Sequence, residues 1–75
     1  MEERFIELFK ETLEIKSRKL SINDNFRDYP EWNSLAYLSV ISMIDEEYDI
    51  TIEGNDFRNL KTIGALIEEI KKRIS

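Results

Sequence analysis

The chain is 75 residues long, 41% hydrophobic and 36% charged, with a formal net charge of −5. It has neither cysteine nor histidine, which excludes disulfides, thiol nucleophiles, Cys/His zinc sites and every Ser–His or Cys–His catalytic pair. A pI near 4.7 argues against nucleic acid, whose phosphates demand clustered Lys and Arg, and points to basic partners.

From Glu2 to about Lys16, Phe5, Leu8, Phe9 and Thr12 share one helical face, with Leu13 and Ile15 on its shoulders. Glu2 and Glu3 at the start and Lys16 at the end suit the helix dipole, and the cations Arg18 and Lys19 follow just beyond it. Ser17 to Asn33 has no helical period and is rich in Ser, Asn and Asp. Asn23–Asp24–Asn25 is a turn signal, and Pro30 biases Tyr29 away from helical dihedrals. So long a loop must be pinned or functional, and Leu20, Ile22, Phe26, Tyr29 and Trp32 are available to pin it. It is not a calcium loop: Phe26 interrupts the ligand alternation between Asp24 and Asp28, and the loop glycine is missing.

Ser34 to about Tyr48 forms the second helix, and Asp49 to Gly54 connects it to a short turn over Asn55 to Leu60, buried through Phe57 and Leu60. Thr62 caps a last helix over Ile63 to Ile74, whose apolar stripe is Ile63, Leu66, Ile67, Ile70 and Ile74. Glu68/Lys72 and Glu69/Arg73 are correctly ordered i,i+4 pairs, and Lys71, Lys72 and Arg73 complement the dipole at the helix end. The expected fold is all-α, one domain over residues 1–75. It is a small four-helix bundle of three longer helices and one short one, with a long loop between helices one and two. No apolar run approaches the ~20 residues that span a bilayer, and Met1–Glu2–Glu3–Arg4 is not a signal peptide, so no membrane insertion and a cytoplasmic location are expected.

The second helix departs from an ordinary core helix. Tyr37, Val40, Ile41, Ile44 and Tyr48 make its core arc, while the opposite arc carries Leu35, Leu38, Ser39, Ser42, Asp45 and Glu46. Two outward leucines beside small hydroxyls and acids favour contact with a basic partner, unless the long loop folds back over them. At the helix head, Asn33 and Ser34 both have capping chemistry. With Asn33 as the cap, Ser34 lies in the first turn with its hydroxyl outward, where free N–H groups favour a phosphate. With no histidine to activate it, Ser34 is not a hydrolase nucleophile, and chemistry there needs another enzyme. Paired carboxylates such as Asp45 and Glu46 lack a cleft that would tune them, so the chain is not expected to be an enzyme.

Asn33–Ser34–Leu35 opening an amphipathic helix, followed by Asp45–Glu46–Glu47–Tyr48–Asp49–Ile50, resembles the acyl carrier protein family, whose signature is Asp-Ser-Leu. Phe26 fits the family's loop aromatic, and Ile52 to Ile63 fits its short third helix and the entry to its fourth. The resemblance implies that Ser34 receives a 4′-phosphopantetheine arm from coenzyme A through a phosphopantetheinyl transferase. It also implies that an acyl or aminoacyl group rides on the arm's thiol as a thioester, presented to enzymes of fatty-acid, polyketide, peptide or cell-envelope assembly. Leu35, Leu38, Ser39, Ser42, Asp45 and Glu46 would then be the surface read by basic loading and processing enzymes, and the carrier would be a monomer. Asn33 departs from the family's aspartate: it caps as well, but removes a negative charge beside Ser34. Trp32 and Pro30 stand where the family more often has small residues and glycine. The alternative is a carrier-fold interaction module that is never pantetheinylated, with Ser34 only a helix cap.

Overall fold

The computed structural model describes residues 1–74. Four helices follow in chain order: α1 Glu2–Leu13, α2 Ser34–Tyr48, α3 Gly54–Phe57 and α4 Ile63–Ile74. An all-α architecture is therefore observed, with the long segment between α1 and α2 as expected. Arg4 pairs with Glu47 at 3.0 Å and Phe5 packs near Tyr48, so α1 and α2 run antiparallel. Lys71 lies 4.0 Å from Glu2, bringing the end of α4 to the start of α1.

Helix α1 ends three residues earlier than its periodicity predicts. Glu14 adopts a left-handed conformation (φ 59°), its N–H donates to the Glu11 carbonyl at 3.1 Å, and the Ile15 N–H donates to that of Lys10 at 2.9 Å. This paired closure satisfies the terminal carbonyls and turns Ile15 into the core, which the helix would otherwise have left outside. Phe5, Phe9 and Leu13 form the buried face of α1.

The loop is held at several points. Asn25 Oδ1 accepts from the Arg27 N–H at 3.0 Å and starts a 3₁₀ turn over Phe26–Asp28 that the apolar pattern did not reveal. Phe26 is fully buried and Leu20 nearly so, whereas Ile22 is 38% exposed. The Ile22 backbone is used instead: its carbonyl accepts from the Gly64 N–H at 2.8 Å, and that of Asp24 accepts from Ile63 at 3.2 Å. A Cβ on residue 64 would lie 3.0 Å from the Ile22 oxygen, so only glycine lets the loop come this close without adjustment. Asp24 Oδ2 accepts from the Tyr29 hydroxyl at 2.7 Å and the Ser21 N–H at 3.0 Å. Arg18 and Glu31 form a two-pronged pair at 2.8 and 3.1 Å, and the Arg18 guanidinium lies over the Tyr29 ring.

The buried residues of α2 are Ala36, Val40, Met43 and Ile44, with Tyr37, Ile41 and Tyr48 half-buried. The core arc is thus rotated from the predicted one toward Ala36 and Met43. The cause is α1, which packs along that flank and covers it. Helix α3 is four residues, not the predicted Asn55–Leu60, but i→i+3 bonds carry the turn on to Asn59 and Leu60. Thr62 Oγ1 accepts from the Ala65 N–H at 3.0 Å and caps α4. Of the predicted α4 stripe, Ile74 is exposed and the rest buried. Arg73 fastens the end of α4 by three 2.8 Å bonds, to Glu69, Asp56 and the Thr51 carbonyl.

Candidate functional site

The head of α2 is positioned from below by Trp32. Its ring stacks on Phe9 and Phe57 with interplanar angles of 5° and 3°, and meets Phe26 edge-on at 4.7 Å. Aromatic pairs in these geometries add stabilisation beyond the area they bury, so the backbone entering Asn33 is anchored to rings of α1, α3 and the loop. From that anchor Asn33 extends (φ −162°), and its Oδ1 accepts from the Ala36 N–H at 2.8 Å. Asn33 is the cap. Ser34 is exposed, and its hydroxyl makes no hydrogen bond among the described residues.

Two depressions flank Ser34 and the helix it opens. The first, a shallow cleft of about 500 Å³, is lined by Arg27, Trp32, Asn33, Ser34, Tyr37, Gly54, Phe57 and Arg58. It holds two arginines and no carboxylate. The second lies between α1 and α2 and is lined by Leu8, Glu11 and Thr12 from one helix and Leu38, Ser39, Ser42, Met43, Glu46 and Glu47 from the other. Leu35 is 72% and Leu38 58% exposed, so the loop does not fold back over them. Asp45 and Glu46 are exposed and Ser39 is half-buried. Leu38, Ser39, Ser42 and Glu46 thus share a groove, while Leu35 and Asp45 lie outside its wall.

Sequence reasoning missed the contribution of α1 to this groove and the whole arginine cleft. Thr12, assigned to the core face, carried the first signal; its hydroxyl donates to the Leu8 carbonyl at 2.8 Å, and the residue is half-buried at the groove. Arg27 and Arg58 are 31 positions apart, and no local pattern joins them.

The electrostatics sharpen the contrast between the two sides. Asp24 is held below the ordinary carboxylate value by the Tyr29 hydroxyl and then by the Ser21 N–H. Glu31 is lowered by Arg18. Burial, followed by the bond to Asp24, pushes the Tyr29 hydroxyl well up. These groups fasten the loop, whereas the α1–α2 groove is lined by the acids Glu11, Glu46 and Glu47, the last paired with Arg4.

Residues 3–70 match the family model of the phosphopantetheine attachment site. The chain belongs to the acyl carrier protein family. It is 30% identical over 73 residues to the acyl carrier protein of Buchnera aphidicola subsp. Schizaphis graminum, covering 97% of this chain and 92% of the relative. Against that of Exiguobacterium sibiricum it is 25% identical over 68 residues, covering 91% and 86%. The solution NMR structure of a holo acyl carrier protein from Geobacter metallireducens matches with a TM-score of 0.84 at 20% identity, over 97% of this chain and 84% of that one, a likeness of fold.

The chain is thus an acyl carrier with a 4′-phosphopantetheine prosthetic group, and its family implies interaction with biosynthetic enzymes and a phosphopantetheinyl transferase. Members of the family are generally not enzymes. A carrier-fold module that is never pantetheinylated is not favoured by these matches. Among the described residues no helix is long and apolar enough to cross a membrane. The residues at the head of α2 fit the group: an unbonded serine hydroxyl at a helix N-terminus, with two cations in the adjoining cleft.

Proposed function

We propose that Ser34 is the attachment residue of this acyl carrier and that the outer face of α2 is the surface its enzymes read. The observation that carries the first part is the division of labour at the helix head. Asn33 does the capping, which leaves the exposed Ser34 hydroxyl uncommitted. Transfer from coenzyme A forms a bond between Ser34 Oγ and phosphorus and releases 3′,5′-adenosine bisphosphate. The hydroxyl proton goes to a base on the transferase, because the chain has no histidine and the cleft beside Ser34 contains no carboxylate. The free N–H groups and positive dipole end of α2 favour the resulting phosphodiester anion. When bound, the group supplies a thiol that this cysteine-free chain lacks.

On the outer face, Leu35 and Leu38 offer apolar contact, Ser39 and Ser42 permit close approach, and Asp45 and Glu46 attract basic surfaces. Charge-steered docking of this kind gives fast association without the slow release that a shuttle must avoid. A flexible tether then holds the cargo near a docked enzyme at an effective concentration of order mM. The same reading takes the carrier as a monomer working in the cytoplasm, with one carrier domain over residues 1–75 whose net charge of −5 suits basic partners.

Intact-protein mass after incubation with coenzyme A and a broad-specificity phosphopantetheinyl transferase tests the attachment. An increment of one phosphopantetheine, absent in Ser34→Ala, is expected; an unchanged mass with several transferases overturns the assignment. Asn33→Asp keeps the cap and restores a negative charge for the transferase to meet, so faster modification is expected.

A further inference from the structure

The cleft beside Ser34 has the opposite charge to the acidic α1–α2 side. Arg27 is fixed within it: Nη2 donates to the Phe57 and Leu60 carbonyls at 2.8 and 3.1 Å, and the guanidinium lies over the rings of Phe26 and Phe57 at 5.2 and 5.4 Å. Carbonyls and ring faces orient this cation without neutralising it. Arg58 is exposed, and its side chain makes no hydrogen bond or ion pair among the described residues. Asp56, two positions earlier, is committed to Arg73 at 2.8 Å. The floor between the arginines is aromatic, with Tyr37 and Phe57 edge-to-face at 5.0 Å beside Trp32. Gly54 lines the cleft beside the Tyr37 hydroxyl.

Two cations over an aromatic floor suit an anion followed by a compact apolar group. The near end of phosphopantetheine has that composition, a phosphodiester followed by a carbon bearing two methyl groups. We infer that Arg58, backed by the fixed charge of Arg27, pairs with the phosphodiester on Ser34 and lays the first segment of the arm against Trp32, Tyr37 and Phe57. This rests on Ser34 being the attachment residue. The arm then leaves the helix head toward α3, away from the leucines and acids of the outer face. Its phosphate meets a cation of the carrier itself, at a position where the residue before the serine brings no negative charge.

The test is nuclear Overhauser spectroscopy on holo-protein carrying ¹³C-labelled geminal methyls, with the mass of each sample checked first. Cross-peaks from the methyls to ring protons of Trp32, Tyr37 or Phe57 are expected. They should fall about threefold or more in Arg58→Glu, as loss and reversal of an exposed ion pair predicts, and persist in Arg58→Lys. In ~1 M salt, where the screening length shrinks to about 3 Å, the wild-type peaks should weaken similarly. Arg58 is exposed, so neither substitution threatens the fold. With the mass increment present, absent cross-peaks in the wild type, or peaks undiminished in Arg58→Glu, overturn the inference alone. A sample that never gains the increment at Ser34 overturns both the inference and the attachment it rests on.

Discussion

Asn33 and Ser34 are adjacent, both can cap a helix, and the fold uses only one of them for it. The choice follows from backbone geometry: Asn33 is extended and outside the helix, where a side-chain oxygen reaches the N–H three residues on, while Ser34 already has helical dihedrals. That either residue could cap was legible in the sequence, because cap chemistry is local; which one does was settled by where the backbone turns helical. The ends of α2 and α4 were legible too, at Tyr48 and Ile74, whereas the end of α1 at Leu13 was not. Glu14 and Asp49 are left-handed at φ 59° and 57°, a conformation that costs a side-chain-bearing residue roughly 1–2 kcal/mol and that no residue preference announces for glutamate. Replacing Glu14 by glycine relieves that cost at the expense of greater unfolded-state freedom. A net gain of about 0.5 kcal/mol, or roughly 2–4 °C in thermal midpoint, is expected in a melting experiment.

At the scale of elements, the segment before α2 behaves as a built part of the core rather than a tether. Its apolar anchors were visible as Leu20, Phe26, Tyr29 and Trp32, but the polar fastenings were not, because they join residues to distant backbone. Examples are Gly64 to Ile22 and Arg27 to Phe57 and Leu60. The α2 face shows the same limit. A period of 3.6 marked which residues could turn inward, whereas the position of α1 decided that Met43 and Ala36 did. The fastenings have a pH signature. Asp24 and Glu31 ionise more readily in the folded chain than at their ordinary values of 3.8 and 4.5. Their contribution is therefore present above those values and is lost as the pH falls through the lower folded ones. The drop in thermal midpoint between pH 7 and pH 3 should be smaller in Asp24→Asn than in the wild type. An equal drop would show that the bonds from Tyr29 and Ser21 do not stabilise the loop.

Across the whole molecule, polarity is divided by side. Acids and the exposed Leu38 line the α1–α2 side, and Arg27 and Arg58 flank the head of α2 where it faces α3. Leu38→Glu on the first side should weaken binding of a partner enzyme by about tenfold in a titration, and Asp45→Lys should flatten the dependence of that binding on salt. Because both side chains are exposed, each variant should melt within about 0.5 kcal/mol of the wild type. Unfolding in either case would place these residues in the core. Trp32 is the only tryptophan in the chain; it stacks on Phe9 and Phe57 and lines the same cleft as the serine. The protein thus carries an intrinsic fluorophore at the point where its helices and its chemistry meet. Emission from that single indole can follow loading, docking and unfolding in one cuvette, without a dye.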